Sequence, residues 1–109
     1  MRRRLVSIAT LCAALAGLAR PALADAIDGD WCRDDGKRMS IHGPDIVTPG
    51  GKQIKGDYDR HHFSYVIPSG EAGAGATVNI QLLSEYLAHA RQGADGAIQE
   101  WRRCRPGVS

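Results

Sequence analysis

A chain of 109 residues has room for one domain and not two, and 14 lysines and arginines against 12 aspartates and glutamates leave a net charge of only +2. Even that excess belongs to the start of the chain: a leader of 24 residues takes Arg2, Arg3, Arg4 and Arg20 with it, leaving −2 on residues 25–109. Those residues carry no basic patch with interleaved aromatics to mark a nucleic-acid surface, and no acidic tract to mark a solvating tail.

The leader comes first in the chain. Arg2-Arg3-Arg4, an apolar run from Leu5 to Ala19, and then Ala22-Leu23-Ala24 give the charged start, short apolar middle and small-residue end of a secretory signal peptide. The apolar run falls short of the ~20 residues that span a bilayer. Cleavage is therefore expected after Ala24, with no membrane attachment afterwards and a periplasmic or secreted location. Arginine runs are ordinary in such starts, and the adjacent arginines do not by themselves mark a twin-arginine signal; Leu11, not a small residue, precedes Cys12, against lipid attachment. Cys12 leaves with the leader. Residues 25–109 form a single small β domain.

Two cysteines remain, Cys32 near the start of that domain and Cys104 near its end. In an oxidising compartment they are expected to pair, because a metal-binding or redox thiol pair normally needs close spacing such as C-x-x-C.

Between the cysteines, glycines punctuate short β-favouring runs. Met39 and Ile41 share a face, as do Ile54 and Tyr58, then Phe63, Tyr65 and Ile67, then Val78, Ile80 and Leu82. Alternation over short runs bounded by turn residues predicts half-buried antiparallel strands. Thr48-Pro49-Gly50-Gly51 suits a tight turn, with proline presetting one dihedral and glycine accepting the positive φ that follows. Glu71 to Ala76, a glycine–alanine run, reads as a mobile loop. The segment Ser84–Gln92 is made of good helix formers and ends at Gly93, so a short helix there is one reading. The favoured reading is a strand from Tyr86 to Arg91, turning through Gly93-Ala94-Asp95-Gly96 into a last strand from Ala97 to Cys104, because Asp-Gly turns favour hairpins.

Strand parity links the two ends. With Trp31 and Trp101 pointing into the core, Cys32 and Cys104 both point out, and Ile98 falls on the outer face too. The first and last strands are then neighbours. The fold class expected is all-β, a small antiparallel meander forming a barrel or half-barrel, disulfide-linked between adjacent first and last strands.

Gly29-Asp30-Trp31 in the first strand, with Trp101-Arg102-Arg103 in the last, resembles the Gly-x-Trp start and late-strand arginine of lipocalin-like barrels. That resemblance implies an arginine packed across the tryptophan, and parity nominates Arg103. It covers a handful of residues, and lipocalins are much longer. In size the chain is closer to the small exported barrels that inhibit bacterial metalloproteases, which also begin near a Gly-x-Trp; their inhibitory amino-terminal arm has no counterpart here.

The densest polar cluster is Asp57-Tyr58-Asp59-Arg60-His61-His62, and Tyr65 follows. Asp57, Arg60, His61, His62 and Tyr65 are the candidate ligand or metal residues. Imidazole and carboxylate could bind a transition metal or move protons near neutral pH; Arg60 could hold an anion by bidentate hydrogen bonds. Against a metal, His61 and His62 within a strand point to opposite faces, and His42 or His89 would have to converge from elsewhere. Surface ion pairs and a solvated turn are the plainer account of the same residues. There is no nucleophile elbow, phosphate-binding glycine loop or His-Glu-x-x-His helix, and nothing positions Ser64 or Ser84 against a histidine. The expectation is a monomeric, non-enzymatic module without a cofactor, binding a protein or small ligand outside the cytoplasm. A metal-handling protein or small hydrolase centred on Arg60-His61-His62 is the alternative.

Overall fold

The computed structural model describes residues 26–105; the predicted leader lies outside the described residues. Nine strands follow in order: β1 (Gly29–Cys32), β2 (Arg38–His42), β3 (Asp45–Val47), β4 (Gln53–Lys55), β5 (Asp57–Asp59), β6 (His62–Val66), β7 (Thr77–Ser84), β8 (Leu87–Gln92) and β9 (Gln99–Arg103). They make one antiparallel sheet in the order β4-β3-β2-β1-β9-β8-β7-β6-β5. Each strand pairs with its chain neighbour, except that β1 pairs with β9 and that β4 and β5 do not pair with each other.

Those two exceptions make the sheet a nearly closed barrel. Gly56 alone separates β4 from β5, so residues 53–59 form one bent path whose first half pairs with β3 and whose second half pairs with β6. The bend passes over Phe63: a Cβ on Gly56 would lie 2.4 Å from the Ser64 carbonyl oxygen and 2.6 Å from the Phe63 ring. Only glycine lets the backbone run that close. The Gly56 N–H is used as well, donating to the Pro44 carbonyl at 2.9 Å.

The period-two pattern does what it predicts in the longer strands. Met39 and Ile41 of β2, Phe63 and Tyr65 of β6, and Val78 and Ile80 of β7 are buried between exposed or half-buried neighbours. Ile54 is half-buried, while Tyr58, beyond the Gly56 bend, is 39 % exposed. The tight turn closes through Gly51 N–H to Thr48 O (2.8 Å), the positive φ falling on Gly51. Glu71 to Ala76, expected as a mobile loop, lie in a run of successive turns over residues 68–76, tied by Glu71 N–H to Pro68 O, Ala74 N–H to Glu71 O, Gly75 N–H to Ile67 O and Ala76 N–H to Gly73 O.

The short helix near Ser84–Gln92 is not formed. Glu85 and Tyr86 make a turn and residues 87–92 are β8. Tertiary pairing overrides helix propensity here, because β8 satisfies its backbone on both sides, against β7 and β9, and its small residues are needed inside. Ala88 lies directly opposite Trp101, and both are buried, a small side chain making room for an indole. No helix among the described residues is long and apolar enough to cross a membrane.

β1 and β9 carry the disulfide, with Cα atoms of Cys32 and Cys104 5.0 Å apart across 72 residues of sequence. Cys32 pairs with Arg102 in register, so Cys104, two residues on, is its diagonal neighbour on the same outer face. Cys104 N–H donates to Asp30 O (3.1 Å), continuing the ladder. Trp31 and Trp101 are buried and Ile98 is exposed, as parity requires. Such a bond fits a non-reducing environment.

Candidate functional site

The two ends of the barrel are built differently. In a meander alternate turns share an end: the β1–β2, β3–β4, β6–β7 and β8–β9 turns gather at one, and the chain start with the turns at 43–44, 60–61 and 85–86 gathers at the other.

The second end is plugged. Residues Ala26–Asp28 cross it, with Ile27 wholly buried, its N–H bonded to Arg60 O (2.8 Å) and its carbonyl accepting the Trp31 indole N–H (2.9 Å). The Arg103 guanidinium lies 4.1 Å from the centre of the Trp31 ring and donates to three backbone carbonyls, those of Glu85 (2.7 Å), Ala26 (2.6 Å) and Asp28. Burial pulls the Arg103 pKa down, and the charges of Asp28 and Glu85 act against that fall. The glycine of Gly-x-Trp has a physical reason here: Gly29 sits at φ 126°, and a Cβ on it would come within 2.6 Å of Arg103 Nη1. The Asp28 carboxylate fastens the plug by accepting from the Tyr58 hydroxyl and from Gly43 N–H (2.8 Å).

Most of the predicted polar cluster stands outside this plug. Arg60 and His61 form the turn between β5 and β6, Asp59 faces His62 across it, and Asp57 faces Ser64; Asp57, Arg60, His61 and His62 are all exposed. Asp59 Oδ1 accepts from the His61 N–H (2.9 Å), a local turn bond. Tyr65 is not with them: it is 6 % exposed and faces the interior. His42 closes β2, and His89 lies on the side of β8, its Nε2 3.7 Å from Glu100 Oε2. Among the described residues no three His, Cys, Asp or Glu side chains gather closely enough to hold a metal ion.

The first end is open and hollow, with a cavity of about 400 Å³. Its floor is the buried set Met39, Tyr65, Val78, Ile80, Ala90 and Trp101; its rim carries Arg33, Lys37, Glu71, Gln92 and Gln99. Arg33 reaches Asp35 through Nε (3.0 Å) and Nη2 (2.6 Å), and this hydrogen bonding holds the Asp35 carboxyl down at about 2. The same guanidinium lies 5.1 Å from the centre of the Trp101 ring. Thr48 Oγ1, wholly buried, donates to Glu71 Oε2 (2.6 Å). Burial, with the Glu71 charge behind it, pushes the Tyr65 phenol up to about 12, so it stays protonated as a hydrogen-bond donor. Lys37 makes no ion pair among the described residues. The Trp101 indole Nε1 is buried with no hydrogen-bond partner among them.

Of the residues singled out from sequence, Tyr65 and Trp101 meet in this cavity, while Trp31 and Arg103 meet at the plug. Arg33, Lys37, Glu71, Gln92 and Gln99 were not foreseen. Their one sequence signal is position: Arg33 and Lys37 flank the first turn, and Gln92 and Gln99 flank the last, both on the same end of a meander. No protein-family model matches the chain, and neither a curated protein nor a solved structure does.

Proposed function

We propose that this chain is an exported, non-enzymatic binding protein that takes one small ligand into the open end of its barrel, in the periplasm or outside the cell. The observation that carries the reading is the cavity: about 400 Å³ lies within the ~300–1,000 Å³ range of small-molecule sites, and an apolar floor under a few convergent polar groups is their usual lining. Export is supported by the leader pattern and the disulfide. The stacking of Arg103 on Trp31 beside Gly29 adds to the resemblance to lipocalin-like barrels. The histidine turn is at the other end and solvent-facing.

The test uses the full chain, expressed with its leader and recovered from the periplasm. Native mass spectrometry is expected to find one small organic molecule per chain, lost in Ala90→Phe, which fills the cavity from its floor. Circular dichroism would check that this variant keeps its sheet. Stoichiometric metal instead, lost in a His61→Ala, His62→Ala double variant, would overturn the reading in favour of metal handling.

A further inference from the structure

We infer that the ligand is an amphipathic organic anion, its apolar body on the cavity floor and a carboxylate-like head at Arg33 and Lys37. The inference rests on the reading of the cavity as a ligand site and adds its polarity. It follows from hydrogen-bonding capacity. Arg33 and Lys37 donate and never accept, whereas Glu71 is the one carboxylate in the described lining. One Glu71 oxygen is already taken by Thr48. Asp35 occupies Nε and Nη2 of Arg33 and leaves Nη1 free of it. Tyr65, Gln92 and Gln99 can serve either way.

The cavity therefore has donors to spare and few acceptors. A purely apolar occupant would leave the rim donors Arg33 and Lys37 unused. A cationic one would face Arg33 and the Lys37 ammonium, which makes no ion pair among the described residues. A ligand bringing acceptor oxygens and negative charge answers both. Met39, Val78, Ile80 and Ala90 offer its other end an apolar seat.

The chain has two tryptophans, so ¹⁵N-labelled protein gives two indole N–H signals: that of Trp31, bonded internally to Ile27, and that of Trp101, a residue of the cavity lining. The probes are naphthalene-2-carboxylate and octanoate, each titrated against its neutral alcohol. At least one acid is expected to move the Trp101 signal and leave Trp31 still, and to bind about tenfold or more tightly than its alcohol. An Arg33→Gln, Lys37→Gln double variant should erase that advantage while the alcohol binds as before. Equal affinity for acid and alcohol, or an acid preference that survives the double variant, would overturn the anion inference and leave the cavity reading standing. No movement of the Trp101 signal with any of the four probes would overturn both.

Discussion

Arg103 gathers three backbone carbonyls and one indole face onto a single guanidinium, a fit that depends on its planar fork of donors and that an ammonium would not reproduce. Beside it, Asp28 is the plug's titratable fastening. Burial raises the Asp28 pKa, but the Tyr58 hydroxyl, two backbone N–H groups and the nearby His42 charge together bring it below its ordinary value of 3.8. A carboxyl depressed in the folded state adds stability that is complete above its unfolded pKa and is lost as pH falls through the folded one. Asp28→Asn should therefore cost about 0.5–1 kcal/mol at neutral pH, solvent screening holding down the effect of a partly exposed carboxyl, and flatten the loss of stability that wild type suffers as pH falls below about 4. Urea unfolding at pH 7 and pH 3 checks this; the slope that remains belongs in part to Asp35, held low at the opposite end. Arg103 was legible in the sequence because parity and a late-strand arginine both pointed to it. Asp28 was not, since its partners Tyr58 and Gly43 are 30 and 15 residues away.

At the scale of strands, closure turns on the bend at Gly56. A β-carbon there meets the Ser64 carbonyl, which is backbone and cannot rotate away, and the edge of a wholly buried phenylalanine. Gly56→Ala is expected to lower stability by about 1–3 kcal/mol through overpacking, and to speed amide exchange in β5 more than in β8. Hydrogen exchange followed by mass spectrometry would resolve the two; equal protection loss in both would mean that the bend is not a local weak point. The composition of β8 reads as a helix when taken alone, and its strand state comes from neighbours on both edges. The Asp-Gly turn ahead of β9 was the sequence sign that tipped the balance correctly, because a hairpin supplies one of those neighbours at once.

For the molecule as a whole, the disulfide ties the two strands that bring the chain ends together. Fixing 72 residues of separation restricts the unfolded chain by ~4 kcal/mol on the loop-entropy model, a large part of the ~5–15 kcal/mol typical of a domain. A Cys32→Ser, Cys104→Ser double variant should melt about 15 °C or more below wild type, with thermal scans under reducing conditions bringing wild type to the same midpoint. The cavity survives in so small a barrel because the core is filled unevenly. Trp31, Phe63 and Ile27 pack the plugged end, and Ala90 with the glycine-bounded turns leaves the other hollow.

By itself the sequence determined the period-two strands, the parity that sets both indoles inside and both cysteines outside, and the pairing of first strand with last. Each is a consequence of local backbone geometry, in which alternate side chains face opposite ways. Only the tertiary structure decided which polar residues meet. It separated Tyr65 from the exposed His62, only three residues away, and joined it to Arg33, Glu71 and Trp101 from distant strands and turns. The physical reason is that a barrel's mouth is assembled from the ends of many strands. Its composition depends on how far each strand runs before it turns, and that length is set by packing against neighbours remote in sequence.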